Sequence, residues 1–346
     1  RVAMAHRWCL HRINLGLMAT RREQAYVVFG GACVAAAAYW CYRLQSLKFS
    51  EDSFSVLSWN VLAREFTFFN REPPGCVRGH RNPHDRLESL QQTAARYSIV
   101  VDALCSRKPD AVLLQEVSAQ FFDASVNPKA LVLLERFDVA HQTNSAGPGT
   151  AVLLRKGGPL VPTGVVLSVG ASEELTGGTS KSASAVLVRV KKARCWIISI
   201  HLTPQKYNAT AVSNHLQMMA AAFSADLMAT TLANSESVAA TMAPPRIVLG
   251  GDLNAEPHEV AMLQRSFPFL GGLHRVVAPS HTGLSADFSV AETIDHIFLS
   301  PGLRLAEPVE LEREPIGPYG PTPNDEVAPI IGASDHVWQS VKVVID

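Results

Sequence analysis

One recurring arrangement limits what this chain can fold into. After Phe49, short apolar runs each carry a polar residue at or near one end and alternate with stretches of helical periodicity. The runs are Phe54 to Trp59 into Asn60, Ala111 to Gln115 into Glu116, Trp196 to Ile200 into His201, Ile247 to Gly251 into Asp252, and Thr293 to Leu299, which carries Asp295 near its start. Runs this short and this rich in Val, Ile and Leu read as buried strands, and strands alternating with helices define an α/β domain. A polar group at the end of a buried strand stands where a rigid sheet exposes functional side chains. No repeat or low-complexity block interrupts residues 49–346, which read as one continuous α/β domain, and a chain of 346 residues that is 47% hydrophobic can bury a sizeable core.

Helical spacing is clearest after Asn82-Pro83. There Asp85 with Glu88 forms a capping-box signature, and Leu87, Leu90, Ala94, Tyr97, Val101 and Leu104 share a face until Pro109. A second helix is predicted from Val212 through Leu216, Met219, Phe223 and Leu227, with its Met and Phe positions as core. Residues 307–334, rich in proline and glycine, are predicted to form a long loop leading to His336.

Before Glu23 the only charged side chains are arginines, and the segment 25–42 carries no charge. A basic segment, 1–24, followed by an apolar one with Tyr26, Tyr39, Trp40 and Tyr42 at its ends reads as a membrane anchor or a mitochondrial targeting sequence. The apolar stretch is marginal against the ~20 residues that a spanning helix needs. Six scattered cysteines without paired spacing argue against a disulfide scaffold or a structural zinc site and point to a reducing compartment. The formal net charge is zero, so no global positive field draws the chain to nucleic acid. Any phosphate binding must then come from a metal ion and local basic residues.

Period-two alternation places Asp252 and Asn254 on one face of an extended segment, where a carboxylate and an amide converge. Gly250-Gly251 just before them would let the backbone approach an occupant. The neighbours Asp295 and His296 must point to opposite faces, so only one can enter a cleft. Ser334-Asp335-His336 opens the last strand. A basic cluster, Val188 to Arg194, reads as a hairpin turn with solvated charges or as a phosphate-backbone contact.

The ordered set Trp59-Asn60-Val61-Leu62, Leu114-Gln115-Glu116-Val117, His201-Leu202, Gly251-Asp252-Leu253-Asn254, Ile294-Asp295 and Ser334-Asp335-His336 resembles the motif series of the endonuclease/exonuclease/phosphatase superfamily. The resemblance runs from about Ser55 to the C-terminus. It implies a four-layer α/β sandwich, two mixed β-sheets face to face with helices on the outside. It also implies a Mg²⁺ ion, or Mn²⁺, held chiefly by Glu116 with help from Asn60 and Asp335, and hard oxygen donors suit such ions. His336, oriented by Asp295, would be general base; Asp252 and Asn254 would position the nucleophile or phosphate, and His201 would stabilise developing charge.

The stretches Asn60 to Ala63, Asp252 to Pro257 and Ala286-Asp287-Phe288 are similar to the group containing nocturnin, angel and the carbon-catabolite-repression deadenylases. That similarity implies a 3′-exonuclease acting on RNA or a nucleotide end, with Pro257 and Phe288 beside the terminal nucleotide. The alternatives are a 5′-tyrosyl-DNA repair phosphodiesterase, suggested by Ser334 to Trp338, and a membrane-tethered sphingomyelin or phosphoinositide phosphodiesterase, suggested by residues 25–42. An inactive binding module is the non-enzymatic alternative.

Overall fold

The strands predicted from the apolar runs are present in the computed structural model, which describes residues 53–61, 90–143, 148–170, 182–202, 216–217, 246–277, 283–284, 291–312, 334 and 336–346. In chain order the elements are β1 (Ser53–Asn60), α1 (Leu90–Arg107), β2 (Ala111–Val117), α2 (Ala130–Arg136), β3 (Phe137–Gln142), β4 (Gly149–Arg155), β5 (Val161–Gly170), β6 (Ser182–Val190), β7 (Ala193–His201) and β8 (Arg246–Asp252). They continue with α3 (Pro257–Ser266), α4 (Pro268–Gly271), β9 (His274–Val276), β10 (Gly283–Leu284), β11 (Ala291–Glu292), β12 (Asp295–Leu299), β13 (Leu303–Leu305), β14 (Glu310–Glu312) and β15 (Trp338–Ile345).

Two mixed sheets result. The first is seven-stranded, ordered β13-β15-β1-β2-β4-β3 with β14 also on β15; the second is six-stranded, ordered β5-β6-β7-β8-β12-β9. Within them β1 and β2 run parallel, as do β7 and β8. Side-chain alternation then sorts residues into layers. Phe54, Val56, Ala111, Leu113, Val152 and Leu154 of the first sheet meet Val186, Val188, Ile197, Val248, Ile297 and Leu299 of the second in an aliphatic layer between the sheets. The intervening residues face outward. Leu57, Trp59, Val112 and Leu114 pack with Tyr97, Val100, Val101 and Leu104 of α1 and with Leu133 of α2. Ile198, Ile200, Leu249 and Phe298 pack with Val260 and Leu263 of α3. The result is the expected four-layer sandwich with its helices outside. Each fully buried side chain of this kind contributes about 1.5–3 kcal/mol, so these layers dominate stability and leave the strand ends open to other chemistry.

Local expectations fare unevenly. Helix α1 ends before Pro109 as predicted, but its buried stripe begins at Thr93, and Leu90 is 54% exposed. The packed face therefore starts one turn later than the apolar spacing suggests, and residues 85–88 of the capping signature lie outside the described residues. Of the second predicted helix only Leu216 and Gln217 are described; both are helical, and Leu216 is buried in the outer layer of the second sheet. The predicted loop of 307–334 is corrected at its start. Glu310–Glu312 forms β14 and pairs with Ser340, Gln339 and Trp338. An edge strand is held by main-chain hydrogen bonds, which a Pro/Gly-rich composition does not signal. Residues 1–52, including 25–42, lie outside the described residues, among which no helix is long and apolar enough to cross a membrane.

Candidate active site

The second sheet delivers its polar residues by register alone. Asp252 pairs with His201 on one side and with Asp295 on the other, so three inward-facing side chains stand in a row across β7, β8 and β12. Ile197, Val248 and Ile297 continue the same faces into the aliphatic layer, which fixes the parity. His296, one residue out of phase, goes to the opposite face; its Nε2 lies 2.8 Å from the Ala255 carbonyl, and burial holds its pKa below the ordinary 6.5. Asp295 is thus the one of the two neighbours that enters the cleft.

The first sheet needs a break in regularity. Asn60, at the end of β1, pairs with Gln115 and faces inward. Strict alternation after inward Leu113 and Gln115 would send Glu116 outward. Between β2 and β4 the register shifts: Leu114 pairs with Ala151 but Val117 pairs with Gly149, leaving one extra residue on β2. Leu114 and Val117 consequently both lie in the outer layer, and Glu116 adopts φ 56°, a left-handed conformation uncommon for a residue with a Cβ. This β-bulge turns Glu116 toward the second sheet, where its Oε1 lies 3.7 Å from His201 Nε2.

His336 enters just before β15 and completes the cluster. Its Nδ1 is 2.8 Å from Asp295 Oδ2, and its Nε2 is 3.8 Å from Asp252 Oδ2 and 3.5 Å from Asn60 Nδ2. Asn60 Nδ2 donates to Asp252 Oδ2 at 3.0 Å, and His201 Nε2 lies 3.5 Å from the same oxygen. Asp252 is therefore the hub, shared by the groups Glu116–His201–Asp252 and Asp252–Asp295–His336, in each of which the potential ligand atoms lie within 4.8 Å of one another. All six residues are at most 8% exposed.

Several expectations are corrected or fall outside the cluster. Asn254 is not on a continuing strand face: β8 ends at Asp252, Asn254 has φ 49°, its N–H donates to Asp252 Oδ1, and its side chain donates to the Leu202 carbonyl. The turn forms because that Asp252 carboxylate captures the backbone two residues on, which competes with extended structure. The two glycines serve packing rather than an occupant. A Cβ on Gly250 would come 2.8 Å from Leu113 Cδ1 of the facing sheet, and one on Gly251 would come 1.9 Å from the Ile200 carbonyl. Pro257 is the first residue of α3, where Glu259 accepts from the Glu256 N–H and Glu256 accepts from the Thr293 N–H. Phe288 and Asp335 lie outside the described residues. The basic cluster forms the β6–β7 hairpin with Lys191 at φ 53°. It sits at the far end of the nine-residue β7 from His201, roughly 26 Å away at about 3.3 Å per residue, so it does not line the cluster.

Supporting residues were less visible in the sequence. Ser334 Oγ donates to the Asn60 carbonyl at 2.6 Å and accepts the His336 N–H at 3.1 Å, tying the two sides together. Trp59 Nε1 donates to the His336 carbonyl, and Gln339 Nε2 to that of Asp295. Arg96, fully buried on α1, donates to the Val61 carbonyl at 2.6 Å. Ser334 opens the Ser334-Asp335-His336 motif, whereas Arg96 sits among apolar helix positions and carries no local signal. Thr143, Thr150, Ser182 and Ser184 form a buried hydroxyl network at the same end of the sandwich, replacing the aliphatic layer.

A family model described as "Endonuclease/Exonuclease/phosphatase family" matches residues 57–336, and the chain belongs to this family. Its members are metal-dependent hydrolases of phosphoester bonds, and that is the class of enzyme this chain is. Among solved structures, ANGEL2, a 2′,3′-cyclic phosphatase in complex with adenosine-2′,3′-vanadate, is similar with TM-score 0.59 and 16% identity over 85% of this chain and 96% of that one. The human nocturnin catalytic domain with bound sulfate is similar with TM-score 0.52 and 16% identity over 85% and 95%. Truncated Caenorhabditis elegans TDP2 is similar with TM-score 0.50 and 15% identity over 85% and 98%. No curated protein sequence matches the chain. The donor set fits a divalent cation, because the buried Glu116 and Asp252 carboxylates bring oxygens within 4.8 Å of one another beside the His201 imidazole, while Asn60 turns its amide nitrogen to Asp252.

Proposed function

We propose that this chain is a Mg²⁺-dependent phosphodiesterase that removes nucleotides from the 3′ end of RNA or hydrolyses a related nucleotide end. The observation that carries this reading is the dyad of His336 and Asp295 set beside the Asp252 hub. Asp295 accepts the Nδ1 proton, which keeps the imidazole in the tautomer whose Nε2 can take a proton from water. Asp252, hydrogen-bonded by Asn60, holds that water or the scissile phosphate near Nε2. His201, between Glu116 and Asp252, donates to a phosphate oxygen as charge builds in the transition state. Glu116, with Asn60, would hold the metal, which when bound supplies Lewis-acid polarisation of the phosphate and stabilises the leaving oxygen. Pro257 stands near this cluster in sequence through Asp252 and Asn254, and with Phe288 is proposed to border the terminal nucleotide. Asp335 is proposed to support the metal side.

RNA is favoured over the other substrates by the Asp252 to Pro257 similarity to the deadenylase group. The likeness to ANGEL2 adds one specific candidate, a 2′,3′-cyclic phosphate end. The deciding experiment incubates the purified chain and Mg²⁺ with single-stranded RNA ending in 3′-hydroxyl or 2′,3′-cyclic phosphate, with 5′-phosphotyrosyl DNA, and with sphingomyelin or phosphoinositide vesicles. Shortening of RNA or opening of the cyclic end is expected. His336→Ala should slow it by about 10²–10⁴-fold, and Glu116→Ala should abolish it at millimolar Mg²⁺. Tyrosyl release or lipid cleavage with RNA untouched would replace the reading, and full activity in both variants would sink the assignment of the site.

A further inference from the structure

The cluster accounts for what Glu116 faces, but not for how a left-handed glutamate is kept in place between two sheets. Behind it lies a side-chain link that the chemistry does not use. Gln115 Nε2 donates to Ser199 Oγ at 2.9 Å and sits 3.2 Å from the Leu113 carbonyl; Ser199 Oγ in turn donates to the Leu114 carbonyl at 2.8 Å. Both residues are fully buried. The link crosses from β7 of the second sheet to β2 of the first, and it grips Leu113 and Leu114, the last regular residues before the bulge.

Stability alone does not explain the pair. Gln115 Oε1 has no hydrogen-bond partner among the described residues, and a buried acceptor left without one costs more than an apolar side chain of similar size. A residue that is poor for the core at a position contacting the bulge points to a geometric role. Ser199 also stands two residues before His201, on the same face of β7, so the pair ties together the strand that carries His201 and the bulge that carries Glu116.

We propose that Gln115 and Ser199 are positioning residues that lock the β2 bulge against β7 and so hold Glu116 in the place from which it binds the divalent cation. This rests on the reading that Glu116 holds the metal. Supporting partners of this kind change metal affinity by about 10–100-fold when removed.

The test measures Mn²⁺ binding to the full chain by isothermal titration calorimetry without substrate, together with the thermal midpoint of the metal-free protein. Ser199→Ala and Gln115→Met should each weaken the Mn²⁺ Kd by about tenfold or more. Ser199→Thr, which retains the hydroxyl, should recover most of it. Ser58→Ala, which removes a buried hydroxyl on the neighbouring β1 that has no hydrogen-bond partner among the described residues, should leave the Kd unchanged. A merely structural role would lower the thermal midpoint and leave the Kd of the folded protein alone, and that outcome in Ser199→Ala and Gln115→Met overturns the proposal. If Ser199→Ala does not fold, Gln115→Met decides by the same criterion. Glu116→Gln separates the two levels: wild-type Mn²⁺ affinity there overturns the assignment of Glu116 itself, whereas lost affinity there with intact affinity in the pair variants overturns only the positioning role.

Discussion

The two sheets bring polar groups to the same cluster by different means. In the second sheet His201, Asp252 and Asp295 arrive on regular strands in direct register, each continuing the inward face of its own apolar run. In the first sheet Glu116 reaches the cluster only because β2 carries an extra residue and accepts φ 56°. Regular alternation delivers side chains at fixed intervals, so a sheet can place a row but cannot place two consecutive residues on one face. A bulge does so, at the expense of local backbone strain. The difference teaches where the site should tolerate change: the second sheet is sensitive to backbone crowding, the first to whatever maintains the bulge.

The comparison breaks most visibly at the glycines of β8. Gly251→Ala would place a Cβ 1.9 Å from the Ile200 carbonyl at φ 151°, so a loss of about 3 kcal/mol in urea denaturation is expected. A near-neutral result would mean that β7 and β8 are not in the register that aligns His201 with Asp252. Gly250→Ala meets the flexible end of Leu113 most closely, at 2.8 Å, with Ile297 and Ser58 at ordinary contact, and about 1–2 kcal/mol is expected, as the Leu113 side chain can shift.

Glu116 tests the other sheet. With a left-handed backbone, Glu116→Gly should be more stable than Glu116→Ala by about 1 kcal/mol, while both lose activity alike. The reverse order, with alanine the more stable, is what an ordinary strand position would give.

The smallest effect is a change of slope. Burial lowers the pKa of His296 below 6.5, so the unfolded chain takes up its proton first as pH falls. Its contribution to stability is therefore intact above about pH 6.5 and declines below it, by no more than about 1.4 kcal/mol per pH unit. His296→Gln, whose amide can still donate to Ala255, should flatten this dependence between about pH 7 and 5 in denaturant titrations. His141, also held down by burial, contributes with the same sign and remains in the variant.

What could be read without a structure follows from the range of each signal. Asn60, His201 and Asp252 end runs whose own alternation carries them inward and Asp295 opens one, whereas the two sheets with helices outside are what the family resemblance implies. Asp295 against His296 could be posed as a choice from parity, although which one faces in depended on the layer each strand meets. Asn254 was misplaced because extended structure was continued past β8, whereas the Asp252 carboxylate turns the backbone there. Ser334, Arg96 and the Ser199–Gln115 link escaped a role because hydrogen bonds to distant carbonyls leave no periodic trace.

Local sequence by itself thus determined the strands and the polar residues at their ends, since hydrophobic alternation is a property of a few neighbouring residues. Only tertiary structure decided that Glu116 turns inward and that His336 meets Asp295 across forty-one positions of chain. The register of β2 on β4 and the closure of β15 onto β1 depend on packing between segments far apart in sequence, and no local pattern encodes where that packing places an extra residue.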